Sequence, residues 1–222
     1  MVLLESLVQL MPDINKAFFE TLYMVGISLL VAIVLGLPLG VLLFVTDKGL
    51  FLENSVVKGV AGRIVNLIRS IPYIILLVAL LPLTNLLTGT TIGPTAASVS
   101  LSVAAIPFFA RMVETSMREI DKGVIESAIA VGATSWMIIK DVLLPEAKPG
   151  LVQGLTITTI SLVGYSAMAG IVGGGGIGDL AIRFGYYRYD NTVMITTVVV
   201  LILLVQVIQL AGDSISKKVD KR

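Results

Sequence analysis

The sequence predicts an all-α integral membrane protein, and three observations support that prediction. The 222 residues have a mean hydropathy of +0.96, and 56% of them are hydrophobic. Only 14% are charged, whereas a soluble domain usually carries roughly 25%. Long charge-free runs, such as the one from Ser70 to Ala110, supply candidate membrane-spanning helices.

The charge-free runs divide into five predicted spans. The run from Thr21 to Thr46 suits one tilted helix. The 41 residues from Ser70 to Ala110 would form a helix of about 60 Å, far longer than a bilayer core of roughly 30 Å. We therefore expect two helices there, joined by a turn between Leu83 and Pro94, where turn-forming residues cluster. The predicted spans are 21–46, 64–83, 94–111, 150–172 and 191–212.

The basic residues predict the orientation of these spans. With the C-terminus in the cytoplasm, 13 of the 16 Lys and Arg residues lie on the cytoplasmic side. Only Lys16, Arg183 and Arg188 lie outside. The predicted topology is therefore N-terminus out and C-terminus in, with the segment 112–149 between spans three and four in the cytoplasm.

This segment 112–149 is too long for a simple connector. We expect a helix from Met112 to Val131 with Glu114 and Arg118 as a surface pair, and a break at Gly132. A short second helix should follow, capped by Thr134 or Ser135 and stopped by Pro145, and Pro149 should open span four. Its apolar side should include Trp136, Ile138, Ile139 and Val142. Periodicity alone fits an amphipathic loop on the bilayer surface equally well.

The residue pattern within 112–149 resembles the EAA signature of binding-protein-dependent ABC importer permeases. Every spacing of that signature is present, with Ser127 in place of Ala and Val142 in place of Ile. In that family the loop forms a coupling helix that docks into a cleft of a cytoplasmic ATPase. We therefore call 112–149 the coupling segment. The resemblance marks as ATPase-coupling residues Glu126, Ser127, Ala128, Gly132, Val142, Leu144 and Pro145.

The resemblance extends beyond the coupling segment. The runs Arg69–Pro72, Pro107–Glu114, Gly164–Gly170 and Phe184–Tyr187 are similar to the methionine-uptake branch of these permeases. This implies a five-helix inner-membrane permease that acts as a homodimer, with two ATPase subunits inside and a methionine-binding protein outside. It also implies that the ATPase binds ATP and Mg²⁺. The chain itself has no Walker loop and is expected to hold no cofactor or metal, to be no enzyme, to contact membrane lipid and to bind no nucleic acid.

Span four is the predicted lining of the substrate path. Its uncharged polar residues include Thr159, Ser161, Tyr165 and Ser166, and Met168 has a flexible thioether that suits a gate. As an alternative, the hydroxyl groups bond only backbone carbonyls, and Met168 only packs. The small residues around Met168 are expected to leave room for movement.

Other functions fit the sequence less well than an ATP-driven permease does. Spans two to four contain no carboxylate, histidine or lysine, which argues against transport driven by an ion gradient. Gly173 to Gly178 matches G-x-G-x-x-G without the strand a dinucleotide site requires, so a tight bend is predicted. The EAA signature indicates a partner ATPase but does not identify the transported substrate. An importer of another amino acid or osmolyte, and a passive pore or scaffold, therefore remain alternatives.

Overall fold

The computed structural model describes residues 2–220, and side chains from residue 10 onwards. Lys221 and Arg222, part of the predicted cytoplasmic basic tail, lie outside the described residues. All regular secondary structure in residues 2–220 is helical, and these residues contain no strands. Its elements are α1 Val2–Val31, a π-turn Ala32–Gly36, α2 Leu37–Val45, α3 Ser55–Ser70, α4 Tyr73–Ala79, α5 Leu81–Thr88, α6 Pro94–Arg118, α7 Lys122–Ala130, α8 Ser135–Met137, a π-turn Ile138–Leu143, α9 Leu144–Glu146, α10 Lys148–Ala169, a 3-10 turn Gly170–Val172, α11 Gly176–Leu180, a π-turn Ala181–Tyr186 and α12 Asn191–Val219.

Within the described residues, four stretches of helix are long and apolar enough to cross a membrane. They overlap predicted spans one, three, four and five, and each is longer than predicted. The first begins well before Thr21, and α6 and α12 continue to Arg118 and Val219. On α12 half of the large apolar side chains are exposed, as suits a helix in contact with lipid.

The predicted second span, 64–83, is wrong as a single helix. The chain bends by 102° between α3 and α4. Pro72 causes the break, because proline disfavours helical backbone at the preceding residue, Ile71, and Pro72 itself has an extended ψ of 135°. The turn predicted from Leu83 starts only at Gly89, whose φ is +74°, since α5 continues to Thr88.

Pro38 interrupts the first long helix without ending it. Proline has no amide hydrogen to donate to the carbonyl one turn earlier. The π-helical segment Ala32–Gly36, which ends two residues before Pro38, accommodates the missing hydrogen bond. Gly36 and Gly40 then face α6 closely. A Cβ on Gly40 would lie 2.5 Å from the carbonyl oxygen of Ala110, so this pair of glycines is the small-residue packing surface that the sequence indicates.

The chain divides into two compact units. The first contains the residues up to Leu30, Ile71–Ala104 and Thr159–Ile208. Its apolar core includes Ala17, Ile177 and Val193.

The second unit contains Val31–Ser70, Ala105–Thr158 and the residues from Gln209. Here helices approach closely at Gly40 and Gly154, and the side chains of Leu43, Val113 and Met117 are fully buried. The whole coupling segment belongs to this unit.

Candidate functional site

The first helix of the coupling segment is shorter than predicted. The expected helix from Met112 to Val131 is wrong, because α6 ends at Arg118 and α7 begins only at Lys122. Between them Asp121 acts as N-cap, and its carboxylate accepts a hydrogen bond from the Gly123 amide at 2.7 Å. The coupling segment therefore has a joint of three residues before its exposed helix.

Gly132 ends α7, as predicted. Its φ is +82°, and its amide donates to the Ile129 carbonyl at 2.9 Å. The Ala133 amide donates to the Ala128 carbonyl at 3.1 Å, which completes a Schellman motif. Thr134 then caps the next helix by accepting from the Met137 amide at 3.3 Å.

Pro145 does not stop this second helix, contrary to the prediction. The π-turn Ile138–Leu143 passes into α9, which ends at Glu146. Pro145 occupies the first turn of α9, where the missing amide hydrogen is tolerated. Pro149 lies in the first turn of α10, as expected.

The coupling segment presents large apolar side chains on its surface. Ile125, Ile138 and Leu143 are buried and anchor it, whereas Trp136 is 68% exposed and Val131 is 84% exposed. The sequence-based prediction had placed Trp136 on the same apolar side as Ile138. We call the exposed set the apolar docking surface, and it consists of Val124, Ile129, Val131, Trp136 and Met137.

The predicted ATPase-coupling residues lie on or beside this surface. Glu126 and Ser127 are exposed on α7, and the Glu126 side chain makes no hydrogen bond or salt bridge within residues 2–220. Ala128 is half-buried and Gly132 is exposed. On the second helix Val142 and Leu144 are half-buried and Pro145 is exposed.

A charge cluster of Asp47, Lys58, Arg111, Glu114 and Arg118 lies just before the coupling helices. The Glu114 carboxylate is 1% exposed and accepts from Lys58 at 2.6 Å, Arg111 at 2.6 Å and Arg118 at 2.9 Å. The predicted surface pair of Glu114 and Arg118 is thus part of a larger, partly buried network. Sequence reasoning missed this network because Lys58 and Asp47 are distant along the chain.

Asp47 joins the charge cluster by accepting from Lys58 at 3.3 Å and from Arg118. Partial burial raises the pKa of the Asp47 carboxyl. Hydrogen bonds from the Lys48 amide, Arg118 and Lys58 outweigh burial, so the pKa lies below its ordinary value. Asp47 is therefore ionised at neutral pH and holds both cations.

The predicted path residues separate into two groups. Met168 is 44% exposed, and the exposed Gly164 lies one turn earlier on the same face of α10; Ile171, in the 3-10 turn that follows α10, is also exposed. Tyr165 is half-buried and stacks on Tyr73, with ring centroids 4.6 Å apart.

Thr159 and Ser166 lie on the opposite side of α10, whereas Ser161, seven residues before Met168, lies on the same face as Met168. Ser166 is buried and donates to the Val163 carbonyl at 2.8 Å, the structural role weighed as the alternative. Thr159 and Ser161 are half-buried. The room around Met168 differs between its small neighbours: a Cβ on Gly164 would have no atom within 4 Å, whereas a Cβ on Gly170 would lie 2.2 Å from the Asp179 amide nitrogen.

The glycine-rich run after α10 is a tight bend, as predicted. Gly173, Gly175 and Gly176 have positive φ angles. The Gly176 amide donates to the Glu20 carboxylate at 2.8 Å, and the Ile177 amide donates to Thr21 at 3.0 Å.

A cleft of about 430 Å³ adjoins this bend. Its charged lining residues are Asp13, Lys16, Glu20, Asp179 and Arg183. Residues 2–220 contain no group of three or more His, Cys, Asp or Glu side chains that could hold a metal ion.

These features define a multi-pass helical permease with an exposed two-helix segment for a partner. The family model described as "Binding-protein-dependent transport system inner membrane component" matches residues 32–222. The chain therefore belongs to this family of inner-membrane transport components, which confirms the resemblance found in the sequence.

Individual relatives agree with the family. The chain is 52% identical to the probable D-methionine transport system permease protein MetI of Vibrio cholerae, covering 93% of this chain and 92% of that protein. It is 45% identical to the methionine import system permease protein MetP of Bacillus subtilis, covering 96% of each.

Solved structures show the same fold. The inward-facing MetNI methionine ABC transporter matches with a TM-score of 0.94 at 49% identity, over 96% of this chain and 99% of that chain. An amino acid ABC transporter with histidines matches with a TM-score of 0.79 at 18% identity and shows the fold alone.

Proposed function

We propose that this chain is the permease subunit of an ATP-driven importer that carries methionine across the inner membrane. The observation that carries the proposal is near-complete coverage, at about half identity, of permeases named for methionine. The exposed coupling segment supports it, because a passive pore or scaffold has no need of a surface for an ATPase.

In this proposal five spans cross the membrane, with the N-terminus outside and the C-terminus inside. The bent pair α3 and α4, continued by α5, makes the second crossing. The distribution of basic residues and the four long apolar helices support this topology. The spans keep the predicted order around the cytoplasmic coupling segment.

The absence of cysteine allows a direct test of this topology with single-cysteine variants. Asn15→Cys, Thr90→Cys and Tyr189→Cys should react with an impermeant thiol reagent from outside. Lys122→Cys should react only after the cytoplasmic face is opened. Labelling of Thr90→Cys from the cytoplasmic side would contradict the second crossing.

Two ATPase subunits dock on the coupling segments of two copies of this chain, and they bind the ATP and Mg²⁺. Trp136 and Val131 are the anchors of the docking, because large exposed apolar side chains dominate the energy of protein interfaces when they become buried. Glu126 offers an unpaired carboxylate to a donor of the ATPase. The small Ser127 and Ala128 permit close approach.

Substrate passes between the two copies of this chain. Met168 is the proposed gate, with Gly164 giving space on the same face and the stacked Tyr165 supporting it. Ser161, on the same face as Met168, is proposed to line the path further along α10, whereas Thr159 and the bonded Ser166 on the opposite side contribute structure. An extracytoplasmic methionine-binding protein docks near the charged cleft beside the glycine-rich bend.

The cargo is tested by competition in proteoliposomes that contain this chain, its ATPase and its binding protein. Uptake of radiolabelled methionine should be abolished by excess unlabelled methionine and unaffected by other amino acids or osmolytes. Stronger competition by another solute would assign the permease to that cargo while leaving the ATP-driven mechanism intact.

A further inference from the structure

The charge cluster is a fully satisfied polar network. An ammonium group has three N–H donors, and Lys58 has three oxygen acceptors: the Leu43 carbonyl at 2.6 Å, Glu114 at 2.6 Å and Asp47 at 3.3 Å. The Glu114 carboxylate in turn accepts from three cations. Arg111 also donates to the Asn66 side chain at 2.6 Å.

The charge cluster connects four parts of the second unit. Leu43 belongs to α2, Asp47 to the turn after it, and Lys58 to α3. Glu114 and Arg118 lie in the last two turns of α6. Each of these parts is held to the others through Glu114 or Lys58.

Stability alone does not explain such a network. Well-packed apolar residues of similar volume often stabilise a fold as well as a buried ion pair does, because both charges lose their hydration. A satisfied network instead restricts the geometry, since each hydrogen bond fixes a distance and a direction. The charge cluster therefore fixes how the end of α6 is oriented on α3 and on the turn at Asp47.

That orientation matters because α7 follows closely. Arg118 is the last residue of α6, and Glu119–Asp121 are the three residues before α7. Ile120, in the middle of this joint, is buried and cannot swing freely. A movement of α7 therefore reaches the end of α6, where Glu114 and Arg118 belong to the charge cluster.

Building on the proposed function, we infer that Glu114 is a positioning residue for energy coupling. Its carboxylate fixes the end of α6 to α3. A movement of α7 therefore displaces α6 and α3 together as a rigid unit. Loss of the carboxylate charge allows the end of α6 to move relative to α3. ATP is then hydrolysed without a matching movement of the permease.

The test is the amount of methionine imported per ATP hydrolysed, measured in proteoliposomes with the complete transporter. Glu114→Gln keeps the side-chain shape and removes the charge, so the ratio should fall about threefold or more, while ATP hydrolysis continues. Glu114→Asp keeps the charge and should recover most of the ratio. Asp213→Asn removes an exposed carboxylate bonded to Gln209 and should leave the ratio unchanged.

A wild-type ratio in Glu114→Gln would overturn the inference. If that variant does not assemble, Arg118→Gln decides, because Arg118 is half exposed and its loss removes both bonds, to Glu114 and to Asp47, that hold the last residue of α6 in the charge cluster. An unchanged ratio in Arg118→Gln would then overturn the inference. Failure of the proposed function is a different result, namely wild-type vesicles without any ATP-dependent methionine uptake.

Discussion

Gly132 gives the sharpest test of how the coupling segment works. Its φ of +82° costs an L-residue about 1–2 kcal/mol, which corresponds to a population ratio of roughly 5–30. No described atom lies within 4 Å of a Cβ built on Gly132, so backbone strain is the only cost within this chain. Substitution should therefore distort the Schellman turn without unfolding the permease.

A substitution series separates strain from bulk. Asparagine tolerates the left-handed region best, alanine less well, and valine worst because it is β-branched. We expect methionine uptake per ATP to fall in the order Gly132→Asn, Gly132→Ala, Gly132→Val. Gly59→Ala is the matched control, since Gly59 lies in α3 with ordinary φ and open space, where alanine should stabilise the helix by about 0.5–1 kcal/mol.

The assay is ATP hydrolysis and methionine uptake in the same proteoliposomes, with membrane insertion checked by the amount of purified transporter. Normal coupling in Gly132→Val would refute the reasoning. Equal loss in Gly132→Asn and Gly132→Val would show instead that bulk against the ATPase, and not backbone strain, makes glycine necessary.

Three further predictions concern other sites. Trp136→Ala should weaken binding of the ATPase by about 2 kcal/mol or more, measured as its dissociation from the detergent-solubilised complex, and unchanged affinity would remove Trp136 from the docking surface. Gly40→Ala should destabilise the permease in thermal unfolding, because the new Cβ would lie 2.5 Å from a carbonyl oxygen of α6; Gly26→Ala, with no atom within 4 Å, should not. Met168→Cys should react with a thiol reagent in at least one state of the transport cycle while Ser166→Cys stays protected, and protection of Met168→Cys in every state would exclude the gate.

The features that local sequence determines were predictable. The Schellman turn at Gly132 and the cap at Thr134 depend on residues within one or two helical turns, and both are present. The long apolar helices also follow directly from hydropathy. The cap at Asp121 is equally local, and an aspartate three residues after the end of a helical pattern is a signal that the prediction of a continuous helix overlooked.

The features that depend on distant contacts were not predictable. Lys58 meets Glu114 across 56 residues of sequence, and periodicity contains no information about that pairing. Proline at position 72 signals a break, but the sequence pattern alone does not give the angle of 102° between α3 and α4. The exposure of Trp136 is likewise a tertiary property. An apolar residue on a helix is predicted to be buried in the core unless a partner protein is known.

The central claim is that ATP hydrolysis drives methionine through this permease. The direct measurement is accumulation of radiolabelled methionine in proteoliposomes with ATP on the side of the ATPase, the binding protein and methionine on the other side, and ionophores present to collapse ion gradients. We predict that methionine accumulates above its concentration on the binding-protein side only with hydrolysable ATP. Equal accumulation without ATP, or equilibration that ATP does not change, would contradict it.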